Sequence, residues 1–276
     1  MGIFSVISLL GGLSIFLYGM DIMGDGLKSS SSKALKSMLE KVTHSAVLGM
    51  LTGTLVTSVI QSSTATIVLT VGLLSAGILN LRQSISIVMG ANIGTTVTAQ
   101  IIRLMDINSS GAAFIEIFKP STLAPLAVLC GIIFLKFVKS QKTRGIGMML
   151  MGFGILFTGL MGMTEAVSPL SESQAFTDVL QKFSDVPILG ILTGLITTFI
   201  VQSSSAVIGM VQALSSTGAF TFQTVYPLII GINLGTCITT AIVCSIGTDK
   251  DAKRTGIAHI LFNCIGTVLF MAAIPL

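Results

Sequence analysis

Gln61-Ser62-Ser63-Thr64 interrupts an otherwise apolar stretch of the chain, and Gln202-Ser203-Ser204-Ser205 does the same further on. The offset between them is 141 residues (202 − 61), and it also carries Gly53 onto Gly194, Gly90 onto Gly231, Asn92 onto Asn233 and Thr95 onto Thr236. Between residues 48–98 and 189–239 the register never slips, and 19 of the 51 aligned positions are identical. Two unrelated apolar stretches do not agree to that extent, so the chain is a duplication.

The apolar arms beside the first signature, residues 45–60 and 63–79, are each about 16 residues long, or roughly 24 Å of helix against a hydrocarbon core of roughly 30 Å. Each is short for a span, and Thr57, Ser58 and the signature itself gather polar groups at the junction. The expected structure is a re-entrant hairpin that enters, turns partway and leaves on the same side. Non-helical backbone at that depth is tolerated only inside protein or beside an aqueous cavity. Two short tilted helices with a surface turn are the simpler alternative; recurrence of the whole pattern over 187–217 argues against it.

Only 9% of the 276 residues are charged and 52% are hydrophobic, with a mean hydropathy of +0.94. That composition lies outside ordinary soluble domains and points to an all-α, multi-pass protein of the cell membrane. The net charge of +4 comes without a basic stripe, so the basic residues read as topology signals and nucleic acid is not an expected partner. Cys130, Cys237, Cys244 and Cys264 lie in apolar segments without paired ligand spacing, which supports neither disulfides nor zinc; they read as small core residues. Residues 3–23 lack a basic leader and a cleavage site and have a counterpart at 145–165, so they are expected to be a span. Gly12, Gly19 and Gly26 recur every seven residues, as do Gly145, Gly152 and Gly159, each set forming a groove for close helix packing.

The halves divide as 1–140 and 141–276 within one transmembrane domain, each with three spans, a hairpin (45–79 and 187–217) and a discontinuous helix. The last expectation comes from Gly90-Ala91-Asn92-Ile93-Gly94-Thr95-Thr96 and its copy Gly231-Ile232-Asn233-Leu234-Gly235-Thr236-Cys237, whose paired glycines are poor helix material within a span. Residues 28–41 and 168–185 read as surface linkers, 103–119 as a polar loop, and 121–135 and 256–274 as the closing spans. Three spans per half is odd, so the second half is inverted. On that topology one side collects 12 of the 15 basic residues, leaving Arg103, Lys119 and Lys182 on the other. The rich side is then cytoplasmic, both termini are outside, and the hairpins approach from opposite faces with their tips near the midplane.

Few charges lie in the spans, so a large organic ion held by a salt bridge is not indicated. The second arm of each hairpin begins near Ser63 or Ser204, pointing free N–H groups and a positive dipole end at the centre, which suits an anion. Hydroxyl and carbonyl oxygens at the same breaks suit a hard cation such as sodium. Cation-coupled anion transport satisfies both.

These residues resemble the type II sodium-dependent phosphate cotransporters and their bacterial relatives. The likeness rests on the paired QSS signatures at 61–63 and 202–204, the Gly-Asn-Gly-Thr motifs at 90–96 and 231–237, and Ala258-His259-Ile260-Leu261-Phe262-Asn263. The resemblance implies inverted repeats and import of inorganic phosphate with sodium as co-substrate, without an organic cofactor. It implies that Ser62, Ser63, Ser203 and Ser204 contact phosphate with Gln61 and Gln202 at the tips. Thr64, Ser205, Asn92, Thr95, Asn233 and Thr236 would ligate sodium or hold the tips. A homodimer is suggested by family analogy alone. The His-x-x-Phe-Asn element of the second half has no first-half counterpart, since 117–120 read Ile-Phe-Lys-Pro, and this leaves sodium stoichiometry open.

His259 fits either proton relay or a bond to a neighbouring helix. Asp25 and Glu165 form another matched pair near span ends, where solvated carboxylates are common. An intramembrane serine protease is disfavoured: there is no G-x-S-x-G elbow, no matched base beside either QSS, and two equivalent sites where one is needed. The chain is expected not to be an enzyme. A passive anion channel, a phosphate exporter and a carrier of another oxyanion stand as alternatives.

Overall fold

The computed structural model describes residues 3–40, 45–104, 120–170, 173–246 and 250–273, and among these every regular element is helical. In chain order they are α1 (Ile3–Glu40), α2 (Ala46–Ile60), α3 (Ser63–Ser75), α4 (Leu81–Arg103), α5 (Pro120–Phe137), α6 (Gln141–Val167), α7 (Gln174–Asp185), α8 (Pro187–Val201), α9 (Ser204–Ser215), α10 (Phe222–Ile246) and α11 (Lys250–Ala272). The expected polar loop at 105–119 lies outside the described residues.

Among the described residues five helices are long and apolar enough to cross a membrane: Ile3–Ser30 within α1, then α4, α6, Phe222–Ser245 within α10, and α11. Six were expected. The sixth, predicted at 121–135, forms α5, whose 18 residues give about 27 Å of helix, just under the hydrocarbon thickness. The predicted linker at 28–41 is also corrected, because α1 runs unbroken to Glu40. Lys33, Ala34, Leu35, Lys36, Met38 and Leu39 are good helix formers, and no Gly or Pro intervenes after Gly26. In the second linker Pro169 falls just after α6, and the chain then forms α7, whose Phe176, Val179, Leu180 and Phe183 recur at helical spacing.

The glycine grooves meet each other. A Cβ on Gly12 would stand 3.0 Å from the Gly159 carbonyl oxygen, one on Gly19 2.9 Å from that of Gly152, and one on Gly26 2.6 Å from that of Gly145. Rising numbers on α1 meet falling numbers on α6, so the two pack antiparallel. Phe16, Leu156, Phe157, Leu160 and Met163 fill the fully buried centre of this packing. Helix α5 packs on α6, whereas α11 packs on α10 and α4.

The predicted discontinuity at Gly90–Thr96 and Gly231–Cys237 is absent: α4 and α10 are continuous through both motifs. The glycines serve close approach instead. A Cβ on Gly90 would lie 2.0 Å from the Met50 carbonyl oxygen, and one on Gly231 2.1 Å from that of Ile191. On the facing helix, Cβ atoms on Gly53 and Gly194 would lie 2.0 Å and 2.2 Å from the carbonyl oxygens of Ile87 and Leu228. Backbone thus packs on backbone, and α2 lies along α4 as α8 lies along α10. Every pair of contacts repeats at the 141-residue offset, so one local structure occurs twice.

Candidate functional site

Each polar signature turns one helix into the next. Gln61 and Gln202 end α2 and α8 in the left-handed region, with φ 59° and 58°. Glycine is the ordinary residue there because it lacks the Cβ that crowds the carbonyl. The glutamine side chain explains the exception. In the first tip Nε2 donates to the Ser58 carbonyl and Oε1 accepts from the Thr98 hydroxyl at 2.8 Å. In the second, Nε2 donates to the Phe199 carbonyl and Oε1 accepts from Thr239 at 2.9 Å. One side chain therefore closes the helix end and ties the turn to α4 or α10.

The next residue is extended and caps the second arm. Ser62 Oγ accepts from the Ala65 N–H at 3.2 Å, and Ser203 Oγ from that of Ala206 at 3.2 Å. The N–H groups of Ser63 and Thr64, and of Ser204 and Ser205, sit in the first turns of α3 and α9, where no helical carbonyl precedes them.

Both tips open on one cavity of about 60 Å³. A water needs about 10–15 Å³ of such space, so the room suits a small inorganic ion and little else. Its lining is wholly Ser, Thr and Gln, without a charged side chain. Of the sequence-predicted residues it gathers Gln61, Ser62, Ser63, Thr64, Thr95, Gln202, Ser203, Ser204, Ser205 and Thr236. The tips are not equally covered: Gln61 is buried beside Gly24 of α1, whereas Gln202 is exposed.

One family model, described as Na+/Pi-cotransporter, matches residues 15–165 and again 161–274. The chain belongs to the Na+/Pi-cotransporter family. This family is one of phosphate transporters, with sodium and phosphate as its hallmark solutes, and the five long apolar helices make this member a membrane protein. Among relatives, YqeW of Bacillus subtilis (strain 168), an uncharacterized protein, is 28% identical over 256 residues, covering 93% of this chain and 78% of its own length. YjbB of Escherichia coli (strain K12), whose name assigns it provisionally to inorganic phosphate export, is 24% identical over 272 residues, 99% of this chain. The chain spans about half of YjbB, 47% of its length. Human sodium-dependent phosphate transport protein 2B is 34% identical over 108 residues, 38% of this chain and 16% of the human one. No solved structure matches the chain.

Within this Na+/Pi-cotransporter fold the cavity also holds Thr57, Thr98, Thr198 and Thr239, which the motif reading did not assign to the site. The signal was available, because Thr57/Thr198 and Thr98/Thr239 are identical pairs at the repeat offset. Asn92 and Asn233 are not brought to the cavity. They lie beside a separate, mainly apolar groove between α4, α10 and α11. There His259, fully buried on α11, faces Asn92 with Nε2 3.0 Å from Oδ1. The reading of His259 as a link to a neighbouring helix therefore fits its geometry. Asp25 is exposed and pairs with Lys28 at 3.1 Å, and Glu165 is exposed, so neither carboxylate approaches the cavity. Of the cysteines, Cys237 and Cys244 are buried as expected, while Cys130 and Cys264 are exposed.

Proposed function

We propose that the chain is a sodium-coupled transporter that imports inorganic phosphate by alternating access, with its halves, 1–140 and 141–276, inverted in the membrane. The observation that carries this reading is the convergence of two helix N-termini, α3 and α9, on one uncharged cavity. Their first-turn N–H groups and hydroxyls suit a tetrahedral oxyanion. The C-terminal ends of α2 and α8, with hydroxyl oxygens beside them, suit sodium, and anion and cations neutralise one another in a site that has no charge of its own. Ser62, Ser63, Ser203 and Ser204 contact phosphate with Gln61 and Gln202; Thr64, Ser205, Thr95 and Thr236 supply oxygens to sodium.

Inversion is supported by the α1–α6 packing. These helices are equivalents in the two halves: shifted by 140 residues, the offset that pairs Asp25 with Glu165, Gly12 and Gly19 fall on Gly152 and Gly159, and the contact of Gly12 with Gly159 becomes that of Gly19 with Gly152. That exchange is the signature of a two-fold relation, and for antiparallel spans the axis lies across the helices, in the membrane plane. The hairpins are re-entrant in this reading: α2 has 15 residues, about 22 Å, and its tip bonds to Thr98, short of the end of α4.

Proteoliposomes holding the purified chain test the proposal. With an inward sodium gradient, radiolabelled phosphate is expected to accumulate above equilibrium, and with potassium in its place accumulation is expected to vanish. Equal downhill flux in both salts would establish a channel instead. Export is a second reading, favoured by the name of YjbB, which matches nearly the whole chain. In intact cells import predicts net phosphate gain when sodium is added, and export predicts loss.

A further inference from the structure

Thr57 and Thr198 occupy the same place in the two halves, four residues before the tip glutamine. Both are held alike. A Cβ on Gly94 would stand 2.6 Å from Thr57 Cβ and 3.1 Å from its Cγ2; on Gly235 the distances to Thr198 are 2.7 Å and 3.2 Å. The methyl groups thus lie against α4 and α10, which leaves the hydroxyls to face the hairpins. In the first half the Thr57 hydroxyl donates to Thr66 Oγ1 at 3.0 Å, and that of Thr66 donates to the Ser62 carbonyl at 3.1 Å. In the second half the place of Thr66 is taken by Val207. Thr198 is only 3% exposed, and its Oγ1 is buried with no hydrogen-bond partner among the described residues. Other hairpin hydroxyls, those of Thr54 and Ser58, turn to carbonyls four residues back. Thr198 lines the central cavity.

A buried hydroxyl left without a partner is costly, and the repeat shows how cheaply a single threonine at 207 would satisfy it. We infer that Thr198 Oγ1 is a further oxygen ligand of the transported sodium ion, and that valine at position 207 keeps this oxygen free, so that of the Thr57/Thr198 pair the second half alone contributes. The inference rests on the sodium coupling proposed above. Thr198 lies in the last turn of α8, at the negative end of the helix dipole, which favours a cation over an anion beside it. Thr57, engaged within its own hairpin, supplies no equivalent ligand.

The test is the sodium concentration giving half-maximal phosphate uptake in proteoliposomes, at saturating phosphate, with melting of each variant in detergent measured alongside. Thr198→Val is expected to raise that concentration about tenfold or more, the usual scale for a lost group at a metal site. Val207→Thr is expected to raise it too, by drawing the hydroxyl into the bond its first-half counterpart makes, while melting at the same or a higher temperature. Thr198→Ser is expected to restore what Thr198→Val loses. A merely structural role for Thr198 predicts that Val207→Thr leaves sodium dependence unmoved. Sodium-dependent wild-type uptake with unchanged half-saturation in Thr198→Val and Val207→Thr overturns the ligand assignment alone. Wild-type uptake indifferent to sodium overturns the coupling and this assignment together.

Discussion

Gln61 and Gln202 hold a backbone conformation that costs a residue with a Cβ roughly 1–2 kcal/mol, and each recovers it through two side-chain bonds of about 0.5–1.5 kcal/mol apiece. Glycine at these positions therefore relieves the strain and loses the bonds, and the two effects largely offset. Gln61→Gly and Gln202→Gly are expected to melt within about 2 kcal/mol of wild type and yet to lose coupled uptake, because the Thr98 and Thr239 ties that position the tips are gone. Uptake near the wild-type level in both variants would remove the tips from the binding site. The identity of these residues was legible from two copies of one polar tetrapeptide. Their left-handed backbone was not, since glutamine carries no local signal for it and the reason sits 37 residues away in a threonine hydroxyl.

At the scale of elements, the polar interruptions marked where each first arm ends and each second arm begins, but not how long the second arms are: α3 stops at Ser75 and α9 at Ser215, short of the expected 79 and 217. The continuity of α4 and α10 was misread. Glycines that look like helix breakers by propensity are here the points where another backbone comes within reach, and propensity contains no term for a partner helix. The α1 seam separates the two roles in one helix. A Cβ on Gly19 would meet the Leu156 backbone nitrogen at 2.3 Å, whereas one on Gly11 would meet nothing within 4 Å. Gly19→Ala is expected to destabilise the fold by about 1–3 kcal/mol through overpacking. Gly11→Ala is expected to leave it unchanged or to stabilise it by up to about 1 kcal/mol, the helix-propensity gain. Thermal unfolding in detergent measures both; equal effects would mean that the seam does not hold these helices together.

At the scale of the whole molecule, duplication and inversion separate as claims. The first is visible in the sequence and in the twofold recurrence of the tip geometry, whereas the second depends on which way each half enters the bilayer. On the proposed inverted topology Lys28, Arg82, Lys136, Lys139, Lys142, Arg144, Lys250, Lys253 and Arg254 would fall on one side and Arg103 and Lys182 on the other, and that bias would set the direction. Lys139 lies between α5 and α6 and Lys182 near the end of α7, both exposed, and exactly one long span, α6, separates them. Single cysteines at these two positions, in a chain whose four native cysteines are replaced by serine or alanine, are expected to react with a membrane-impermeant thiol reagent from opposite faces. In intact cells Lys182→Cys should label at once and Lys139→Cys only after the membrane is opened. Labelling of both from outside would place α6 in the plane of the membrane rather than across it. The antiparallel glycine seam would then join two helices of one surface layer, and the tips could not reach a common site from opposite sides.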